Sequence, residues 1–244
     1  MGRGTSKVNL AKANEKRDYR IYESFASSLV AQAQALSIPD ESFELQIDAP
    51  VYAIDATVVD LCLNLFWWGK FRRHKAAVKL HTMLDVKTSI PTVIFITSGA
   101  VHEVNLLDHF PIEEGSYYLL DKGYIEFEKL YRIHKSAAYF VMPAKDNFAF
   151  VRLNSRTVDK QSGVICDQTV RLKNQLVSLK YPPELRRVKY RDAETDTQLV
   201  FITNNFELRP DEIAALYRYR WKIELFFKWI KQHLKVKTFW GYSF

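Results

Sequence analysis

The stretch Val51-Tyr52-Ala53-Ile54-Asp55-Ala56-Thr57-Val58-Val59 decides how this chain is read. It is rich in β-branched and aromatic residues, and Pro50 stands where a strand can begin. The run is hydrophobic enough for a central strand, yet one carboxylate, Asp55, sits in its middle. A carboxylate buried there costs several kcal/mol of desolvation unless something compensates, and a metal ion is an effective compensator. An exposed acid on a half-solvated strand is the equally open alternative.

Working outward, Ala77 to Val86 and Pro91 to Thr97 are two further strands, joined by a short Lys87-Thr88-Ser89 turn. With the first they form an expected antiparallel meander. A short helix is expected from His102 to about His109, then a strand over Ser116 to Leu120 ending in Asp121-Lys122-Gly123. A helix from about Ile125 to His134 and a strand from Ala137 to Met142 follow, closed by Pro143. Residues 144–205 differ, with short strands over Val164 to Arg171, Leu176 to Leu179, Val188 to Arg191 and Gln198 to Thr203, and a break at Pro182-Pro183. Pro210-Asp211-Glu212 opens a long helix running to about Lys235, with the proline and acids that helix starts favour. Before all of this, Asn9 to Asp18 and Tyr19 to about Leu36 read as two helices, bounded by Pro39. The order of elements matches an α/β fold: a ribonuclease H-like mixed sheet flanked by helices, with a β-rich insertion before the last helix. The domain reading is 1–45 as a helical remnant, 46–143 with 206–244 as the core, and 144–205 as the insertion subdomain.

The bulk numbers bound the rest. A chain of 244 residues with 48% hydrophobic and 14% aromatic content can bury a core, which excludes disorder over most of its length. No apolar run reaches the roughly 18 residues of a membrane span; Leu61 to Trp68 and Thr92 to Thr97 read as buried segments. Charges at the N-terminus have no apolar stretch behind them, so no signal peptide is read and a cytoplasmic location is expected. Cys62 and Cys166 are in no metal-ligand spacing and read as reduced thiols. The net charge of +7 suits a polyanionic partner, nucleic acid first among them. From Tyr217 onward seven cations surround a single acid, Glu224.

That acid is the most informative of three. At about 100° per residue, Leu216, Ile223, Phe227, Ile230 and Leu234 form one apolar stripe, and Tyr217, Arg220, Glu224 and Lys231 line up along its flank. The bland alternative is ordinary i,i+4 pairing of Arg220 with Glu224. Asp121 falls at the carboxyl end of a strand, where α/β proteins build sites, although an aspartate before a glycine turn is common. Together, Asp55, Asp121 and Glu224 suit two hard cations about 4 Å apart, of the kind that cleave phosphodiesters. Arg220 and Lys231 would neutralise phosphate charge beside them.

These residues carry a resemblance. Tyr217, Arg220, Glu224 and Lys231, with gaps of two, three and six residues, match the Tyr-Arg-Glu-Lys signature of DDE transposases of the insertion sequence family four. Ile54-Asp55-Ala56-Thr57 resembles that family's first-aspartate block and Leu120-Asp121-Lys122-Gly123-Tyr124 its second. The similarity covers about residue 50 to the end. It implies a catalytic, metal-binding triad of Asp55, Asp121 and Glu224, working with two Mg²⁺ ions or Mn²⁺ as substitute. It also implies that Tyr217, Arg220 and Lys231 contact DNA, that the partner is double-stranded DNA held by a homodimer, and that the bound protein is nucleoid-associated. The implied reaction nicks DNA and directs the freed 3′-hydroxyl at a second strand. Lys79-Leu80-His81-Thr82 and Thr203-Asn204-Asn205 also resemble family segments, with His81 read as a core or supporting histidine. Relatives extend beyond this chain at both ends, which keeps open a non-catalytic DNA-binding fragment that competes with full-length transposase. Residues 144–205 lack the tryptophan that some relatives carry there. A cellular ribonuclease H-like nuclease is disfavoured by the Tyr-Arg-Glu-Lys spacing.

Overall fold

The protein is described by a computed structural model covering residues 6–38, 40–61, 70–72, 75–233 and 238–239. It forms two compact units, Met1–Ile38 and Pro39–Phe244. The first holds α1 (Lys7–Lys16), capped by the Ser6 hydroxyl accepting from the Asn9 amide, and α2 (Arg20–Leu36), which buries none of its residues. Its Ile21, Phe25 and Leu29 are exposed at four-residue intervals.

The second unit is built on one mixed sheet. β1 (Val51–Leu61) is its central strand, and Val51, Tyr52, Ala53 and Ile54 are buried in succession, so both faces are covered. β2 (Lys70–Arg72) and β3 (Lys75–Asp85) follow, and β4 (Ile90–Ser98) completes the expected antiparallel meander through β3. On its other edge β1 pairs in parallel with β5 (Tyr117–Leu120), and β5 with β6 (Tyr139–Pro143). A 3-10 helix, Glu103–His109, leads into β5, and α3 (Phe127–Lys135) supplies the crossover to β6 that parallel strands need.

The region after β6 continues this sheet. β7 (Phe150–Arg156), β8 (Val164–Leu172), β9 (Leu185–Arg191) and β10 (Gln198–Thr203) are antiparallel neighbours. β10 pairs with β6, with Thr203 opposite Val141, so the main path runs β2-β3-β1-β5-β6-β10-β9-β8-β7. Leu176 to Leu179, expected as a strand, belongs instead to α4 (Gln175–Lys180). The Asn174 side chain caps its start by accepting from the amides of Leu176 and Val177, and such a cap favours a helix over an extended chain. β7 is an addition to the expected strands, and its apolar residues Val151 and Leu153 are about half exposed.

The long helix expected from Pro210 is two helices, α5 (Pro210–Arg218) and α6 (Trp221–His233). At the junction the amides of Tyr219 and Arg220 bond three residues back, to Leu216 and Tyr217, instead of four. Tyr219 is held elsewhere: its hydroxyl donates to the Ser42 carbonyl at 3.0 Å and accepts from the Glu44 amide at 2.9 Å, with its ring 4.6 Å from that of Phe43. Those contacts pull the backbone off a straight helical path. A last strand, β11 (Thr238–Phe239), runs parallel to the far end of β1.

Helices cover both faces of the sheet. Leu130 and Ile133 of α3 pack with Tyr52, Ile54, Met83, Leu120, Phe140 and Ile202. Ile213 and Leu216 of α5 and Ile223 and Phe227 of α6 pack with Ala53, Leu119, Val141 and Phe201. Leu234 and Cys62, like most of the apolar run before Trp68, lie outside the described residues. Cys166 is a half-buried free thiol. Among the described residues no helix is long and apolar enough to cross a membrane.

Candidate active site

Strand register brings the two aspartates together. Ile54 lies opposite Leu120 across the parallel β1–β5 pair. Asp55 and Asp121, one position further along, therefore leave the sheet at the same level and on the same face. Asp121 ends β5 in extended backbone and caps the 3-10 turn Lys122–Tyr124, its side chain accepting from the Gly123 amide at 3.4 Å. That face is the one α5 and α6 cover. Burial of Ile223 and Phe227 fixes the roll of α6, and Glu224 emerges on the flank of the buried stripe.

Arg220, at the helix junction, joins the two elements. Its Nη1 donates to Asp55 Oδ2 at 3.2 Å, and its Nη2 makes a short hydrogen bond to Glu224 Oε1. The Tyr217 ring lies under its guanidinium, 5.8 Å from centroid to Cζ. Beside this group a cleft of about 470 Å³ opens between β1 and α6, lined by Asp55, Ala56, Thr57, Glu224, Phe227, Lys228, Lys231 and Gln232. Lys231 thus shares the cleft with two of the acids. Asp121 is outside that lining, but its charge is felt at both Asp55 and Tyr217.

The electrostatics single out Asp55. Burial pushes its carboxyl up to about 6, against the opposing pull of the Ala56 amide and Arg220; Asp121 and Glu224 add to the rise. Burial likewise pushes the hydroxyls of Tyr217 and Tyr124 upward. Tyr124 is fully buried, feels the charges of Asp55, Glu103 and Asp121, and its hydroxyl finds no hydrogen-bond partner among the described residues.

The donors suit a hard divalent cation, since all three acids offer carboxylate oxygens and Asp55 is largely withdrawn from water among like charges. As they stand, no three acidic, histidine or cysteine side chains among the described residues converge closely enough to hold an ion. Asp55 and Glu224 instead share the Arg220 guanidinium.

Sequence reasoning missed Glu103. Its Oε2 and Asp121 Oδ2 would lie 3.9 and 3.7 Å from a Cβ added at Gly123, so a fourth acid stands near the group. The buried Lys79 neutralises it, with Nζ 3.0 Å from Oε1 and 2.8 Å from the Val101 carbonyl. A lysine inside a buried strand was the available signal; nothing in the loop around Glu103 gave one. His81 is fully buried, with Nε2 2.8 Å from Thr97 Oγ1, and burial holds its imidazole down at about 4, so it is neutral at ordinary pH. Asn204 and Asn205 act as braces. The first accepts from the Phe140 amide and donates to the Ala138 carbonyl, and the second accepts from the amides of Glu207 and Leu208 ahead of α5.

Residues 46–240 match the family described as Transposase DDE domain. The chain is 33% identical over 236 residues to a protein of Sinorhizobium fredii named as transposase y4zB, covering 95% of this chain and 64% of that protein. It is 29% identical over 199 residues to one from Geobacillus stearothermophilus named as a transposase for insertion sequence element IS5377, covering 81% and 52%. A protein of Synechocystis named as a transposase for insertion sequence element IS4SA is 26% identical over 235 residues, covering 93% and 62%. The chain therefore spans between about half and two thirds of the length of these curated relatives.

Proposed function

The chain belongs to the Transposase DDE domain family, and from that premise we propose that it carries the core of a DNA transposase that cleaves transposon ends and transfers the freed strand into target DNA. The observation that carries the proposal is the Arg220 bridge between Asp55 and Glu224, which are 169 positions apart in numbering only and neighbours in space, with Asp121 beside them. In this reading Asp55, Asp121 and Glu224 are the catalytic ligands of two divalent cations, Mg²⁺ with Mn²⁺ as a substitute. When bound, such ions supply Lewis-acid stabilisation of the leaving oxygen and a nucleophile that is deprotonated near neutral pH. The mixed sheet corresponds to a ribonuclease H-like core, residues 46–143 with 206–244. Residues 144–205 are its β-rich insertion, and 1–45 a helical part of a DNA-binding region.

The chain's own residues do the positioning. Asp55, at about 6, is mostly ionised at neutral pH and so available as a ligand. Lys228 and Lys231 on the cleft wall attract the phosphate backbone, a contribution that weakens as salt rises. Arg220 offers a planar fork to one phosphate, and the half-buried Tyr217 ring limits where that fork can point. Double-stranded DNA is the proposed partner, held by a homodimer in the cytoplasm at the nucleoid.

Nicking of supercoiled plasmid in Mn²⁺ tests the reading, with Asp121→Asn and Glu224→Gln as comparisons. Metal-dependent nicking that both substitutions abolish is the expected result. Salt-sensitive DNA binding without any nicking would replace the enzyme with a DNA-binding fragment that at most competes with longer transposases.

A further inference from the structure

Arg220 has two sets of partners it cannot serve at once. One guanidinium sits on Asp55 Oδ2 and Glu224 Oε1, using the oxygens that the proposed function gives to a divalent cation. The same side chain is only 17% exposed, against 22% for Asp55 and 34% for Glu224. A guanidinium so far withdrawn from water is costly to leave without an anion. Its surroundings also restrict its choices: the Tyr217 ring lies beneath it, and its backbone is at the α5–α6 junction, where three-residue hydrogen bonds replace the regular ladder.

We propose that Arg220 is an internal counter-ion, competing with divalent cations for Asp55 and Glu224 until a DNA phosphate draws it away. The inference rests on the metal-binding reading above. A cation that takes the two carboxylates displaces the guanidinium, and the further acid beside them, Asp121, is itself a ligand in the proposed metal site, so the cation binds weakly alone. A phosphate beside the cleft gives Arg220 a replacement partner and frees the carboxylates at the same moment. Cation and DNA therefore tighten each other's binding, and by linkage each does so by the same factor. The device would keep the carboxylates from holding a reactive ion before DNA is seated.

The test is Mn²⁺ binding, followed by the electron paramagnetic resonance signal of the free ion, with and without a mixed-sequence DNA duplex. Wild type, Arg220→Gln and Arg220→Lys are compared, and an Asp55→Asn/Glu224→Gln double variant corrects for Mn²⁺ held elsewhere on the protein or on DNA. Wild type is expected to bind Mn²⁺ about tenfold more tightly once the duplex is present, within the usual range of coupling between sites. Arg220→Gln should bind as tightly without DNA as wild type does with it, and gain nothing further from the duplex. Arg220→Lys, which keeps the charge and loses the fork, should fall between them; a merely structural arginine would not raise ion affinity when removed. Equal Mn²⁺ affinity of wild type and Arg220→Gln, in a site lost in the double variant, overturns the counter-ion proposal and leaves the metal site standing. Absence of any Mn²⁺ binding that depends on Asp55 and Glu224 removes the metal site itself, and the proposal with it.

Discussion

Two aspartates, Asp55 and Asp167, each face an arginine from a neighbouring element, and they are held in opposite ways. Asp167 on β8 is 3% exposed and gripped at both oxygens by Arg186 of β9, at 2.9 Å each. Arg156 adds a third bond at 3.1 Å, and Arg186 Nη1 donates to the Leu208 and Asn205 carbonyls. Every charge there has a partner in good geometry, the condition under which a buried ion pair is tolerated. Asp55 has one arginine bond at 3.2 Å, shares that arginine with Glu224, and has Asp121 as a further negative neighbour. The distal ion pair is closed. Around Asp55 one guanidinium serves two carboxylates with a third acid beside them, an imbalance that a cation-binding site requires and a structural brace does not.

That contrast can be broken by measurement. Asp167→Asn strips Arg186 of its main buried partner and should cost about 3 kcal/mol or more in urea unfolding, the usual penalty for halving a buried pair. A loss under about 1 kcal/mol would mean the pair is not the brace described here. Asp55→Asn should lower plasmid nicking by at least about a hundredfold, since even indirect supporters of metal ligands cost up to that much.

The same substitution should raise stability near neutral pH by on the order of 1 kcal/mol, less than the full shift implies because the side chain keeps some water contact. The sign follows from proton binding: the folded carboxyl holds its proton up to about 6 and an ordinary aspartate only to 3.8. Stability from this group is therefore full below 3.8 and is lost as pH rises through about 6. Wild type in chelator should weaken across that window relative to Asp55→Asn, and parallel profiles for the two would contradict the assignment. Smallest of all, Arg156→Gln should cost less than about 1 kcal/mol, because Arg156 is half exposed and Arg186 still holds Asp167.

The parts of the fold legible in sequence were those fixed by local chemistry. The buried run from Val51, the turn at Lys87-Thr88-Ser89 and the proline-led start at Pro210 each recur in the structure within a few residues. Leu176 to Leu179 is helical where a strand is expected because a short apolar run fits either, and the deciding cap, Asn174, lies outside it. The α5–α6 break was invisible for a different reason. No glycine or proline marks it; Tyr219 is anchored by Ser42 and Glu44, more than 170 positions away in numbering. The candidate site divides likewise. The Tyr-Arg-Glu-Lys spacing pointed to its residues, whereas Glu103 entered only through folding, and Tyr124 stood in the second-aspartate block without a role of its own.

By itself, then, the sequence determined where the apolar strand runs lie, where the acids stand within them, and which family the chain resembles, because apolar patterning and residue spacing are local properties. Only the tertiary structure decided that Ile54 faces Leu120, that α6 rolls Glu224 toward Asp55, and that one guanidinium holds both acids. Those outcomes depend on register and on packing between segments far apart in the chain, where no short-range pattern carries the information.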